Sequence, residues 1–93
     1  MTALADRSVI VVGATGGLGL PIARRLAEQG CRLTLVGRDA DRLRATGVPG
    51  VIVAADVRKA ASASQIVEAA VAEQGGVDGI VFAAGAVAFG AVD

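Results

Sequence analysis

The sequence contains no histidine, no tryptophan and no tyrosine, and it has only one cysteine, two prolines and two phenylalanines in 93 residues. Each shortage removes a class of chemistry. Without histidine, Cys31 alone cannot assemble the several nitrogen and sulfur ligands of a zinc-type centre, so no metal site is expected. A lone cysteine cannot close an internal disulfide either, and Cys31, at the head of an apolar run, reads as a small buried apolar residue. The nine basic and nine acidic side chains cancel and are scattered, which excludes the basic footprint of a nucleic-acid binder and a polybasic membrane patch. The longest apolar stretch, residues 79–92, is too short and too rich in glycine to cross a bilayer, and Asp78 and Asp93 bracket it. Asp6 and Arg7 stand where a secretory leader would carry its apolar segment. The expected location is the cytoplasm, and neither nucleic acid nor membrane is an expected partner.

What is present is an apolar fraction of 54% and 13 glycines, with the apolar share carried mostly by alanine and valine, which suits helices packed closely on a sheet. Residues 1–93 form a single expected domain, near the lower end of comfortable size. The first strand spans Val9 to Val12 and a helix follows from about Gly17 to Gln29, with Pro21 tolerable in its first turn and Gly30 closing it. The second strand covers Arg32 to Val36; Gly37, Arg38 and Asp39 then turn into a short helix carrying Leu43, with Asp39 as its N-cap. Gly47 and Pro49 precede a third strand at about Gly50 to Ala55. A third helix starts at Ser62 or Ser64, buries Ile66, Val67, Ala70 and Val71, and stops at Gly75 and Gly76. The fourth strand is Gly79 to Ala83. Strands alternating with helices imply parallel βαβ units with right-handed crossovers, hence an α/β sheet covered on both faces.

The most informative segment is Ser8 to Gly19, S-V-I-V-V-G-A-T-G-G-L-G. A strand that is apolar on both sides belongs inside a parallel sheet, and Leu18, Ile22 and Leu26 recur at four-residue spacing as on one helix face. Between strand and helix stand Gly13, Gly16, Gly17 and Gly19, where backbone can approach a ligand with no Cβ in the way. The first-turn amides of the helix, together with its dipole, favour an anion such as a diphosphate. The expected contacts are therefore Gly13, Thr15, Gly16, Gly17, Leu18 and Gly19. The Thr15 hydroxyl either donates to a phosphate oxygen or satisfies the turn.

The spacing G-x-x-x-G-x-G at Gly13, Gly17 and Gly19 resembles the cofactor fingerprint of the short-chain dehydrogenases and reductases. Further family landmarks recur in order: G-R-D at 37–39, D-V at Asp56-Val57 and A-A-G at 83–85, so the likeness runs to about Phe89. The resemblance implies a Rossmann-type sheet of strand order 3-2-1-4, truncated. It also implies that Asp56 hydrogen-bonds the adenine edge with Val57 beside the ring, and that Ala84 and Gly85 line the ribose and nicotinamide side. Relatives that prefer NAD carry an acidic residue at the end of the second strand; here Gly37 stands there and Arg38 follows. A guanidinium suits a 2′-phosphate, so NADP(H) is favoured over NAD(H). Arg38 is otherwise a solvated turn residue, and an inward Asp39 would reverse the preference.

The chain departs from the family pattern at Val12, where threonine is common, and at Phe82-Ala83, where asparagines are common. The family's catalytic serine and its tyrosine and lysine four residues apart have no counterpart in residues 1–93, and Lys59, just after the third strand, does not replace that lysine. No catalytic residue is assigned, and the chain alone is expected to lack the proton-transfer apparatus. The fourth strand is expected to be a bare apolar edge, so the chain either self-associates through it and residues Ala86 to Val92 or is a piece of a longer parent. Two functions follow: the NAD(P)-binding portion of an oxidoreductase, or a non-catalytic nucleotide-binding or assembly module.

Overall fold

Short β-branched runs alternate with helical periods, and the chain folds accordingly. The computed structural model describes residues 4–83 and the backbone of residues 86–89. In chain order the elements are β1 (Ser8–Val12), α1 (Gly19–Glu28), β2 (Arg32–Gly37), α2 (Ala40–Ala45), β3 (Val51–Ala54), α3 (Ala60–Gln74), β4 (Gly79–Phe82) and β5 (Ala86–Phe89). The sheet runs β3-β2-β1-β4-β5. Its first four members are parallel, with Ile10 of β1 opposite both Thr34 of β2 and Ile80 of β4, which is the expected Rossmann order.

The expected bare edge of β4 is corrected by the structure. β5 pairs antiparallel along the outer side of β4, with Ile80 opposite Ala88 and Val81 opposite Val87, so the open edge moves one strand outward. Residues 90–92 of the tail, and Ala84 and Gly85, lie outside the described residues.

Side chains alternate across the sheet. Val9 and Val11 of β1, Leu33 and Leu35 of β2 and Val81 of β4 pack against Ala23 and Leu26 of α1 and Leu43 of α2. Ile10, Val36 and Val53 point the other way, onto Ile66 and Ala70 of α3. Three expectations change here. Leu18 is the N-cap of α1 and is exposed, so the buried stripe is Ala23 and Leu26 with half-buried Ile22. Val67 and Val71 are exposed, because only one helix covers this side and the sheet meets just the Ile66 and Ala70 stripe. α3 begins at Ala60, with Lys59 as an N-cap that makes no side-chain bond; its start is set by the turn at residues 56–59, where the Lys59 N–H donates to the Asp56 carbonyl at 3.0 Å. Cys31 is half-buried rather than buried, its thiol lying 3.4 Å from the Leu4 carbonyl, and burial pushes its pKa up.

The N-terminal ends of the strands are tied together by polar groups. The Ser8 hydroxyl donates to the Gly76 carbonyl at 2.6 Å, and the Ser8 N–H donates to Asp78 Oδ2 at 2.8 Å. The Arg32 guanidinium donates to the carbonyls of Asp6 and Gln74. This leaves the opposite, C-terminal ends of the strands for the loops that form the site.

Candidate functional site

β1 lies between β2 and β4, where successive connections change from one side of the sheet to the other. A crevice outside the carboxyl ends of the strands is expected at such a switch point. There the loop after β1 is held by two bonds to the neighbouring strand, from the Gly13 and Ala14 N–H groups to the Val36 carbonyl at 2.8 and 3.3 Å. The Gly16 N–H donates to the Gly13 carbonyl at 3.1 Å, folding the loop back on itself.

Two glycines matter for different reasons. Gly13 takes φ +83°, in the left-handed region. At Gly19 a Cβ would stand 1.9 Å from the Gly13 carbonyl oxygen and 2.9 Å from the Ala83 Cβ, so only glycine fits where α1 begins. A Cβ at Gly17, by contrast, meets nothing within 4 Å. The fold itself makes no demand for glycine there, and the space beside the loop is open.

The amides confirm which groups are already engaged. Among the described residues, the N–H groups of Thr15, Gly17, Leu18 and Gly19 donate to no protein acceptor. Leu20 donates to the Gly16 carbonyl, Ile22 to that of Leu18, and Pro21 has no N–H. Four donors around one helix start therefore have no protein acceptor, a property of anion-binding helix starts. The Thr15 hydroxyl also makes no hydrogen bond among the described residues, so it is not used up in the turn.

Beside this loop a cleft of about 390 Å³ is lined by Gly13, Thr15, Gly37, Arg38, Asp56 and Val57, with Val12, Phe82 and Arg58 completing its wall. Arg38 forms no ion pair or hydrogen bond among the described residues. Asp39 is turned away as the N-cap of α2, its Oδ1 accepting from the Asp41 and Arg42 N–H groups at 3.0 and 3.3 Å. Asp56 is gripped by Arg58, whose Nε donates to Oδ1 at 3.0 Å and whose Nη2 donates to Oδ2 at 2.9 Å. Those bonds, with the Arg58 backbone amide and then the charge of Arg38, hold the Asp56 carboxyl well below the usual carboxylate range.

The structure thus brings together Gly13, Thr15, Arg38, Asp56 and Val57 on one cleft, with Gly16, Gly17, Leu18 and Gly19 in the loop beside it. Arg58 was not singled out in the sequence, where it reads as one more charge in a polar turn; the D-x-R spacing that lets an arginine reach back to a carboxylate was the available signal. The cleft holds a cation, an ion-paired carboxylate and, at Thr15, an unpartnered amide, and so is equipped to bind an anionic, polar-edged ligand. No described helix is long and apolar enough to cross a membrane.

Comparison with known proteins agrees with this geometry. The short-chain dehydrogenase family model matches residues 7–93. An uncharacterized oxidoreductase of Mycobacterium tuberculosis is 39% identical over 85 residues, covering 86% of this chain and 32% of the relative. The 3-ketoacyl-(acyl-carrier-protein) reductase of Brucella melitensis, solved in complex with NADH, superposes with TM-score 0.79 at 30% identity, covering 84% of this chain and 34% of that one. The L-sorbose reductase of Gluconobacter frateurii, solved with NADPH and L-sorbose, gives TM-score 0.75 at 30% identity, covering 82% of this chain and 32% of that one. The chain spans about a third of the length of the curated relatives it matches. On this match, this chain is a member of the short-chain dehydrogenase family and carries the portion of it that holds the cofactor-binding loop.

Proposed function

We propose that this chain is the NADP(H)-binding portion of an oxidoreductase whose parent moves a hydride between NADP(H) and a carbonyl or alcohol substrate. The observation that carries the reading is the set of four unpartnered amides at residues 15–19, opening beside a cleft whose free cation is Arg38. The loop amides and the Thr15 hydroxyl hold the diphosphate, and Arg38 meets the 2′-phosphate. Asp56 accepts from the adenine edge and Val57 packs on its ring, while Ala84 and Gly85 border the ribose and nicotinamide. The bound nicotinamide supplies the hydride chemistry; this chain's own residues bind and orient it. The preference for the phosphorylated cofactor is supported by Gly37 in place of a carboxylate and by Asp39 being engaged as a helix cap. Complete proton transfer needs residues outside positions 1–93, and residues 1–93 act as one binding unit in the cytoplasm. Association, with a second copy through the sheet edge that β5 now forms beyond β4 or with the rest of a longer parent, belongs to the same reading.

The test is titration of NADPH and NADH against the chain, followed by nicotinamide fluorescence. NADPH is expected to bind at least about tenfold more tightly, and Arg38→Ala to remove most of that margin while changing NADH little. Equal losses for both cofactors refute the 2′-phosphate role. Gly17→Ala is expected to weaken both cofactors without lowering Tm, whereas Gly19→Ala lowers both binding and Tm. Unchanged binding in Gly17→Ala refutes the cradle.

A further inference from the structure

The cleft's carboxylate is not free. Asp56 Oδ1 accepts from both the N–H and the Nε of Arg58, each at 3.0 Å, and Oδ2 accepts from Arg58 Nη2 at 2.9 Å. An ionised carboxylate offers about four lone-pair sites. Three are taken by one arginine, which leaves a single acceptor position on Oδ2.

We propose that Arg58 is a positioning residue for base selection: by clamping Asp56 edge to edge, it leaves that carboxylate one fixed acceptor, which takes a purine bearing an amino group at its 6-position and rejects one bearing a carbonyl there. The proposal rests on the dinucleotide reading of the site given above. A carboxylate kept ionised by a guanidinium cannot donate, so a carbonyl on the base sets lone pair against lone pair. The two-point grip also removes rotation about the Asp56 side-chain bonds, which a point charge cannot do.

Arg58 has little else to do. Its side chain is 75% exposed, and Asp56 is the partner of both its ion pair and its side-chain hydrogen bonds among the described residues. Exposed pairs of this kind add little to stability, so a structural explanation for the arrangement is weak. Without Arg58 the nearest competing influence on Asp56 is Arg38, whose charge already acts on it. A released Asp56 would turn toward that cation and away from its fixed position.

The experiment compares binding of NADPH with binding of reduced nicotinamide hypoxanthine dinucleotide phosphate, in which a carbonyl replaces the 6-amino group and the adjoining N1 carries a hydrogen. The unaltered chain is expected to favour NADPH by about tenfold, the order for a hydrogen bond to a charged group that the other base does not make. Arg58→Ala is expected to bring the ratio to about threefold or less with only a small change in Tm, and Arg58→Lys to restore it only in part. In an Asp56→Asn background, Arg58→Ala is expected to leave the ratio where Asp56→Asn alone sets it. An unaltered ratio in Arg58→Ala overturns the proposal, as does an equal effect of Arg58→Ala with and without Asp56. Binding of both dinucleotides by the unaltered chain with no preference overturns this proposal alone. Binding of neither at millimolar concentration overturns the dinucleotide reading and the proposal with it.

Discussion

The two faces of the sheet are built from the same strands but are closed to different degrees. On the side of α1 and α2, Val9, Val11, Leu33, Leu35, Leu43 and Val81 are all within 2% of full burial. On the side of α3, Ile66 and Ala70 are buried, yet beside them runs an apolar groove of about 270 Å³ lined by Ile10, Val12, Ile80 and Phe82 of the strands and by Val57 and Val67. Phe82 is 43% exposed and Val71 is 51% exposed on that side. Two helices cover one face and one helix covers the other, so the second face, although Ile10, Val36 and Ala70 are as deeply buried as the first face's core, leaves apolar surface uncovered beside them.

The largest expected contrast comes from equivalent truncations on the two faces. Leu35→Ala, in the closed core, is expected to cost about 4 kcal/mol, and Ile66→Ala, beside the groove where neighbours and water can relax into the gap, about 2 kcal/mol. Denaturant unfolding of both variants measures this, and equal costs would show that the two faces are closed alike.

A smaller effect belongs to the rim between the faces, where Arg58 holds Asp56. The folded carboxyl titrates below its unfolded value of about 3.9, so the stability it contributes is present above that pH and is lost as the pH falls below it. Stability measured from pH 6 to pH 3 should therefore decline less steeply in Arg58→Ala than in the parent, and solvent screening keeps the difference small. An identical acid limb in the two proteins would remove the pair from the account.

The smallest effect on stability is expected from Val71→Ser, within about 0.5 kcal/mol because the side chain already meets solvent. Light scattering of the same variant tests whether this exposed helix takes part in association, a shift toward monomer at high concentration placing the contact on α3. A variant that associates as the parent does would place the contact elsewhere.

Much of this was legible in the sequence because local chemistry and tertiary structure agree. The parallel βαβ arrangement follows from the alternation of β-branched runs with helical periods, while the strand order 3-2-1-4 comes from the family resemblance; the Asp39 cap and the Gly30 and Gly75 stops follow from backbone needs that few residues meet. The glycine loop was legible for the same reason. What escaped the sequence depends on neighbours. Whether Val67 and Val71 are buried depends on how many helices share the face, which periodicity cannot report. The pairing of Ala86–Phe89 with β4 is a tertiary choice of register, made by a segment too short and uniform to announce itself. Arg58 escaped because its partner is two residues away in a turn, where charge pattern alone looks like solvation.

The loop after β1 is already shaped by bonds that no ligand supplies: Gly13 and Ala14 are anchored to Val36, Gly16 to Gly13, and α1 is seated against the Gly13 carbonyl. On the proposed reading, its preorganisation means that capture of a diphosphate surrenders little conformational entropy at that point. The rate of complex formation should then be governed by encounter and orientation, and single-exponential, concentration-proportional kinetics in a stopped-flow trace would be its signature.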